Sequence, residues 1–245
     1  MRKVSIVVAA AAALLCFAAV ALAQTNTYTV SGKIASGGSK KKPKPVGVDF
    51  GYTVGTEEGT LASPVKTYKI HLDGVKGDAN FVAKKCPASK LNAMTTPDPS
   101  SCPSASKVGS GSVEALVGTA GQPVTDQTIK CHLDLTIYAG TKNSLTLFLK
   151  GRTPTCITNV DQAIDAKLTT DSKGGNLTFT VPDALLHQVG LDISVTKVTS
   201  KIKKLGKGTK GLFVSTGCKG KRNVEVTFTS ESGQTAKQSA SAGKC

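Results

Sequence analysis

Apolar and polar residues alternate along most of this 245-residue chain, and this two-residue period is the feature that most limits its fold. Such alternation is typical of strands with one buried face, because successive side chains point to opposite sides of a sheet. The clearest run extends from Val46 to Val54, where five apolar residues alternate with Gly, Asp and Thr. Six more runs share the period: 68–72, 133–137, 145–149, 177–181, 191–202 and 224–228.

The pattern predicts an all-β protein. Turn sequences such as Gly140–Asn143 and Lys173–Asn176 separate the runs, and helical signal is confined to Pro87–Met94 and Pro182–Gln188. The run 191–202 changes face midway, which predicts a β-bulge near Thr196-Lys197. We therefore expect an antiparallel β-sandwich of about ten to twelve strands, stapled by disulfides, with few short helical turns.

The first 23 residues have the features of a signal peptide. A basic start at Arg2 and Lys3 precedes the apolar stretch 4–20, and Ala21-Leu22-Ala23 forms a cleavage site. No later segment is apolar enough to span a membrane, so we expect a secreted or extracytoplasmic protein without an integral span after cleavage. Residues 24–245 are expected to form a single sandwich-like domain, with an internal boundary near 95–107 as the alternative.

Cysteine usage fits export. Without Cys16, six cysteines remain, and an even number in an exported chain indicates three disulfides. The sequence alone permits 15 connectivities, of which pairing between sequence neighbours is favoured. A zinc site would need close C-x₂₋₄-C pairs, which this chain lacks. The pairs favoured are Cys86 with Cys102, Cys131 with Cys156, and Cys218 with Cys245.

Positive charge is concentrated in two segments of a chain whose formal charge is +15. Residues 33–44 carry five lysines, and residues 197–222 carry nine basic residues, with no acid in either. Such segments either keep strand edges soluble or form a surface that attracts polyanions. The candidate anion-binding residues are Lys40, Lys41, Lys42, Lys44, Lys197, Lys201, Lys203, Lys204, Lys207 and Lys210.

Signals for catalysis or a cofactor are weak. The run Gly206-x-Gly208-x-x-Gly211 has the letters of a dinucleotide fingerprint, but a strand-like segment follows it where that motif needs a helix. His71 and His132 occupy polar positions of strands, and no G-x-S-x-G motif occurs. We therefore expect no catalytic residue, no metal site and no cofactor.

Several segments resemble a group of uncharacterised secreted bacterial proteins. They are Lys40-Lys41-Lys42-Pro43, the C-P…C-P loop from Cys86 to Pro103, the run Lys107-Val108-Gly109-Ser110-Gly111, and the element Val181-Pro182…Leu185. The group has no established activity, so the resemblance implies bacterial export and a β-fold with disulfides, and implies nothing about mechanism.

Three functions are carried forward. The first is a non-enzymatic structural or interaction protein outside the cytoplasm, whose partner is an anionic envelope polymer or another protein. The second is a polyanion-binding protein that uses segments 33–44 and 197–222 to contact a wall polymer, an acidic lipid surface or nucleic acid. Nucleic acid is the weakest of these ligands because Phe213 is the only aromatic residue in the second segment. The third function is a carboxylate-based hydrolase.

Overall fold

A computed structural model describes residues 25–245, so the predicted signal peptide at 1–23 lies outside the described residues. The described strands, in chain order, are β1 (Asn26–Ile34), β2 (Lys44–Pro45), β3 (Val48–Thr56), β4 (Val65–Asp73), β5 (Val75–Gly77), β6 (Lys107–Gly118), β7 (Ile129–Ala139), β8 (Ser144–Gly151), β9 (Val160–Thr170), β10 (Gly174–Thr180), β11 (His187–Gln188), β12 (Leu191–Ile202), β13 (Gly206–Lys207), β14 (Lys210–Gly211), β15 (Phe213–Ser215), β16 (Lys221–Ser230) and β17 (Thr235–Lys244). Two short α-helices, α1 (Ala88–Asn92) and α2 (Asp183–Leu186), accompany them, with 3-10 turns at Ala79–Phe81, Pro99–Ser101 and Ser104–Ser106.

Twelve strands form one antiparallel sheet. Its order is β1-β3-β12-β6-β7-β8-β9-β10-β4-β16-β17, with β11 paired to β12. A three-stranded sheet, β2-β15-β5, and a small hairpin, β13-β14, complete the described structure. Strands from both sides of residues 95–107 share the large sheet, with β4 lying between β10 and β16. The all-β antiparallel prediction is confirmed.

The large sheet curves until its two edge strands meet. A Cβ atom built on Gly32 of β1 would lie 3.4 Å from the Cβ of Ala242 in β17, and Gly37 N donates to Cys245 O at 3.2 Å. The result is one nearly closed, barrel-like sheet, so the expected arrangement of two sheets packed face to face is corrected. Alternation has the same period in both architectures, and only the strand pairing separates them.

The predicted bulge and helical turns are present. The pairing of β12 with β6 shifts register between Val195 and Lys197. Helix α1 falls inside the predicted segment Pro87–Met94, and α2 begins directly after Pro182. Within residues 25–245, no helix has the length and apolar character needed for a membrane span.

The six cysteines pair as the sequence favours. The bonds are Cys86–Cys102, Cys131–Cys156 and Cys218–Cys245. Three intramolecular disulfides are typical of proteins that fold in an oxidising environment. The first bond closes the segment 86–102, which we call the arm. The arm carries α1 across the outer face of β7, β8 and β9, where Leu91 packs beside Phe148.

Side chains on the inner face form the main core. Tyr28, Tyr52, Tyr68 and Phe228 are buried there and pack ring to ring, with centroid separations of 4.3–5.8 Å. Phe179 of β10 stacks on Tyr68 at 4.9 Å. The aromatic cluster therefore fills the side of the interior lined by β1, β3, β4, β10 and β16, and aliphatic residues line the remainder.

Candidate functional site

The two lysine-rich segments, far apart in sequence, meet at one end of the large sheet. Strand β2 pairs with β15, so that Pro45 lies opposite Val214 and Lys44 opposite Ser215. Val46 N donates to Phe213 O at 2.9 Å and extends this pairing. We call the end formed by residues 35–47 and 203–220 the lysine end.

The β13-β14 hairpin rests directly on the first lysine segment. Gly206 has a φ of +158°, and a Cβ atom added there would lie 2.6 Å from the Cγ of Pro45. Only a residue without a side chain allows this approach. The glycines of the run 206–211 thus serve a hairpin packed on Pro45, and a strand follows them, as the sequence indicated.

A buried arginine joins the two segments. The Arg222 side chain is fully buried and donates to Ala35 O at 3.2 Å and to Ser215 Oγ at 2.7 Å. The Ser215 hydroxyl in turn donates to Gly37 O. Burial lowers the pKa of Arg222, and the nearby charge of Asp73 opposes this effect. Arg222 was counted with the surface charge of segment 197–222, and the structure corrects this: it connects backbone and hydroxyl groups inside the lysine end.

The last disulfide holds the same end. Cys218 is bonded to Cys245, and Cys245 N donates to Gly220 O at 3.2 Å. Because Cys245 O accepts from Gly37 N, the chain terminus lies between the two lysine segments. The lysine end is therefore closed by backbone pairing, a guanidinium and a covalent bond.

Nine of the ten candidate lysines belong to this end or its margin and point into solvent. Among residues 25–245, none of these nine forms an ion pair within 4 Å. They are Lys40, Lys41, Lys42, Lys44, Lys201, Lys203, Lys204, Lys207 and Lys210. Lys197 differs, because it lies midway along β12 and pairs with Glu114 at 3.4 Å. Three acidic residues border this end: Asp49 lies between Lys33 and Lys201 in the strand register, Asp73 lies near Arg222, and Asp78 N donates to Leu212 O at 2.7 Å.

The connections at the opposite end of the sheet carry an excess of acidic residues. We call these connections, 57–64, 119–128, 152–159, 181–190 and 231–234, the acidic end. They contain five carboxylates, one arginine and no lysine. The carboxylates are Glu57, Glu58, Asp126, Asp183 and Glu231. Charge is thus separated along the molecule, a feature that sequence reasoning missed because it depends on which connections share an end.

Aromatic side chains are scarce at the lysine end. Phe213 is 2% exposed and faces the interior, so it offers no ring to a ligand outside. Among the described residues, Phe81 is the one aromatic side chain in the exposed class, at 39%. Sequence-tolerant nucleic-acid grooves stack successive bases on several aromatics. The lysine end therefore presents positive charge without the row of exposed aromatic rings that such grooves need.

Histidines and carboxylates sit in separate polar clusters. On the outer face, His71 contacts Asp73 Oδ1 and Asn176 Oδ1, each at 3.1 Å. The Asn176 side chain, together with two backbone N–H groups, lowers the pKa of Asp171 to about 2. At the acidic end, His187 pairs with Asp192 at 3.0 Å and with Glu231 at 2.9 Å.

Two aspartates of β9 have their own partners on the outer face. Asp161 pairs with Arg152 at 2.7 Å, and Asp165 accepts from Ser144 Oγ at 2.6 Å. A hydrolase dyad needs two carboxyl groups facing one reacting bond, and these two groups are engaged elsewhere. Within residues 25–245, no group of three or more His, Cys, Asp or Glu side chains is placed to hold a metal ion.

No protein-family model matches the chain, and no curated protein sequence matches it. The functional argument therefore depends on the geometry of this molecule.

Proposed function

We propose that this protein is a non-enzymatic, extracytoplasmic interaction protein whose lysine end binds an anionic polymer. The observation that carries the proposal is the convergence of residues 35–47 and 203–220 on one end of the sheet. The three disulfides and the leader-like residues 1–23 support a location outside the cytoplasm.

The arrangement of charge supports binding more than a purely protective role. Lysines that only protect a sheet edge need to lie along that edge. Here most of them lie on connections that cover an end, and the connections at the other end carry five carboxylates and no lysine. Such a charge separation orients the molecule in the field of a polyanion and raises the rate of encounter. A phosphate-bearing wall polymer is the ligand class that fits this surface and compartment.

The first test removes four lysines from this surface. We expect changing Lys201, Lys203, Lys204 and Lys207 to Ser to weaken binding of labelled linear polyphosphate by at least about tenfold at low salt. The slope of log affinity against log salt should become shallower by roughly 0.7 for each contacting lysine, as for single-stranded polyanions. Fluorescence anisotropy over a salt series measures both quantities.

A matched control separates a located surface from net charge. Changing Lys69, Lys130, Lys150 and Lys167 to Ser removes the same charge from exposed positions away from the lysine end. The proposal predicts a much smaller loss for this control. Equal losses in the two variants, or binding to anionic vesicles without binding to soluble polymer, would overturn it.

A further inference from the structure

A cavity of about 110 Å³ lies inside the large sheet. Phe213 of β15 borders it at the lysine end, and Leu185 of α2 borders it at the acidic end. Its walls come from the inner faces of most strands of the large sheet. The lysines of the proposed polymer-binding surface are outside it, so this space needs a separate explanation.

The geometry of the sheet explains why space remains. The diameter of a closed sheet grows with the number of strands, and about eight strands already enclose an interior that side chains just fill. Here eleven strands follow one another around the sheet. The aromatic cluster fills one side, but the other side is lined by short aliphatic residues such as Val113, Ala115 and Val195. Such side chains are too small to meet across the enlarged interior.

Accessibility shows that the inward side chains face this space. Phe50, Leu147, Leu177, Phe179 and Val195 occupy inward positions, yet each remains only half-buried. On β8, the inward neighbours of Leu147, two residues away on either side, are fully or almost fully buried. Among the inward side chains of β8, accessible surface is therefore greatest at Leu147, which lines the cavity.

The chemistry of the wall limits what the cavity can hold. Among the described residues, no charged side chain lines it, and the polar side chains in its wall are Ser200, Tyr52 and Tyr68. Ser200 Oγ donates to Phe50 O at 3.0 Å, and the rings of Tyr52 and Tyr68 lie 5.3 Å apart. A ligand there gains from apolar contact and finds no counter-ion, so a charged group inside would be strongly disfavoured.

We infer that this cavity is a binding site for a small hydrocarbon group, either a free apolar molecule or the alkyl tail of an amphiphile. An apolar protein cavity of about 150 Å³ lined by Leu, Ile and Phe stays dry and takes up benzene. The cavity here has a similar lining and a comparable volume. This site is independent of the proposed polymer-binding surface.

The experiment titrates the purified, disulfide-intact protein with benzene and, separately, with decanoate. Methyl NMR signals of Leu147, Leu177 and Val195 report occupancy directly. Saturable shifts with benzene alone identify a site for free apolar molecules, whereas shifts with both probes identify a site that also admits an alkyl tail. If neither benzene nor decanoate produces saturable shifts, the inference is overturned.

Two variants of the cavity wall and one control locate the site. Val195→Phe fills the cavity and should weaken benzene binding by about tenfold or more. The control Thr199→Phe places the same ring on the exposed outer face of β12 and should leave benzene affinity unchanged. Leu147→Ala enlarges the cavity and should increase affinity for the larger propylbenzene. Loss of benzene binding in Thr199→Phe but not in Val195→Phe would contradict the site. An unchanged affinity for propylbenzene in Leu147→Ala would also contradict it. Polyphosphate binding should be unchanged in Val195→Phe, so the two proposals fail separately.

Discussion

Arg222 places a positive charge inside the lysine end, where its hydrogen bonds to Ala35 and Ser215 connect the two lysine segments. We expect Arg222→Ala to lower the free energy of unfolding by about 2 kcal/mol or more, because it leaves both a cavity and unpaired polar groups. Urea denaturation measures the change. The neighbouring exposed Lys221→Ala is the control and should cost about 0.5 kcal/mol or less. Similar costs for both variants would show that Arg222 does not hold the two segments.

His187 makes stability depend on pH at the acidic end. Its hydrogen bond to Glu231, supported by Asp192, raises the pKa of the imidazole. A histidine with a raised folded-state pKa contributes stability fully below the unfolded value, about 6.5, and this contribution disappears as pH rises through the folded-state pKa. The stability difference between the native protein and His187→Gln should therefore be present at pH 5 and vanish at alkaline pH. Thermal unfolding across this range, with imidazole NMR titration, checks it; a difference that grows with pH would contradict the pairing.

Among the elements, β17 depends most on covalent support. It is an edge strand that contacts β1 only where the sheet closes, and its sequence, Thr235–Lys244, is largely polar. Replacing Cys218 and Cys245 with Ser opens a loop of 27 residues, which the chain-entropy model values at about 3–4 kcal/mol. We expect faster amide hydrogen exchange in β17 and in residues 35–38. The matched Cys86→Ser/Cys102→Ser variant should loosen the arm over Phe148 and leave β17 exchange unchanged; faster β17 exchange there would contradict this assignment.

The elements also show what the sequence could and could not predict. Strands with strict alternation, such as β3, β7 and β8, were predictable because one face is buried and the other is not. Strand β17 was missed because most of its side chains remain exposed, so burial imposes no pattern on it. Strand β9 was missed because its alternation is broken: Gln162 occupies an inward position, and Ala163 is buried on the other face. Pairing of β2 with β15 joins residues about 170 apart, and no local pattern carries that information.

At the scale of the whole molecule, strand order determines both the internal cavity and the distribution of charge. The sandwich and the nearly closed sheet need the same inward residues, so the sequence predicted the core but not the enclosed space. The same strand order places residues 35–47 beside 203–220, and it leaves five carboxylates and no lysine on the connections at the far end. Composition predicted a basic protein, whereas only the fold shows that basic and acidic connections lie at opposite ends of the sheet.

The most direct measurement for this account is amide NMR of the isotope-labelled protein during titration with linear polyphosphate. The account predicts that residues 37–46 and 201–221 shift together with a single affinity, and that residues 57–64 and 181–190 do not shift. Shifts in only one lysine segment, or shifts spread evenly over the surface, would contradict the claim that the two segments form one anion-binding end.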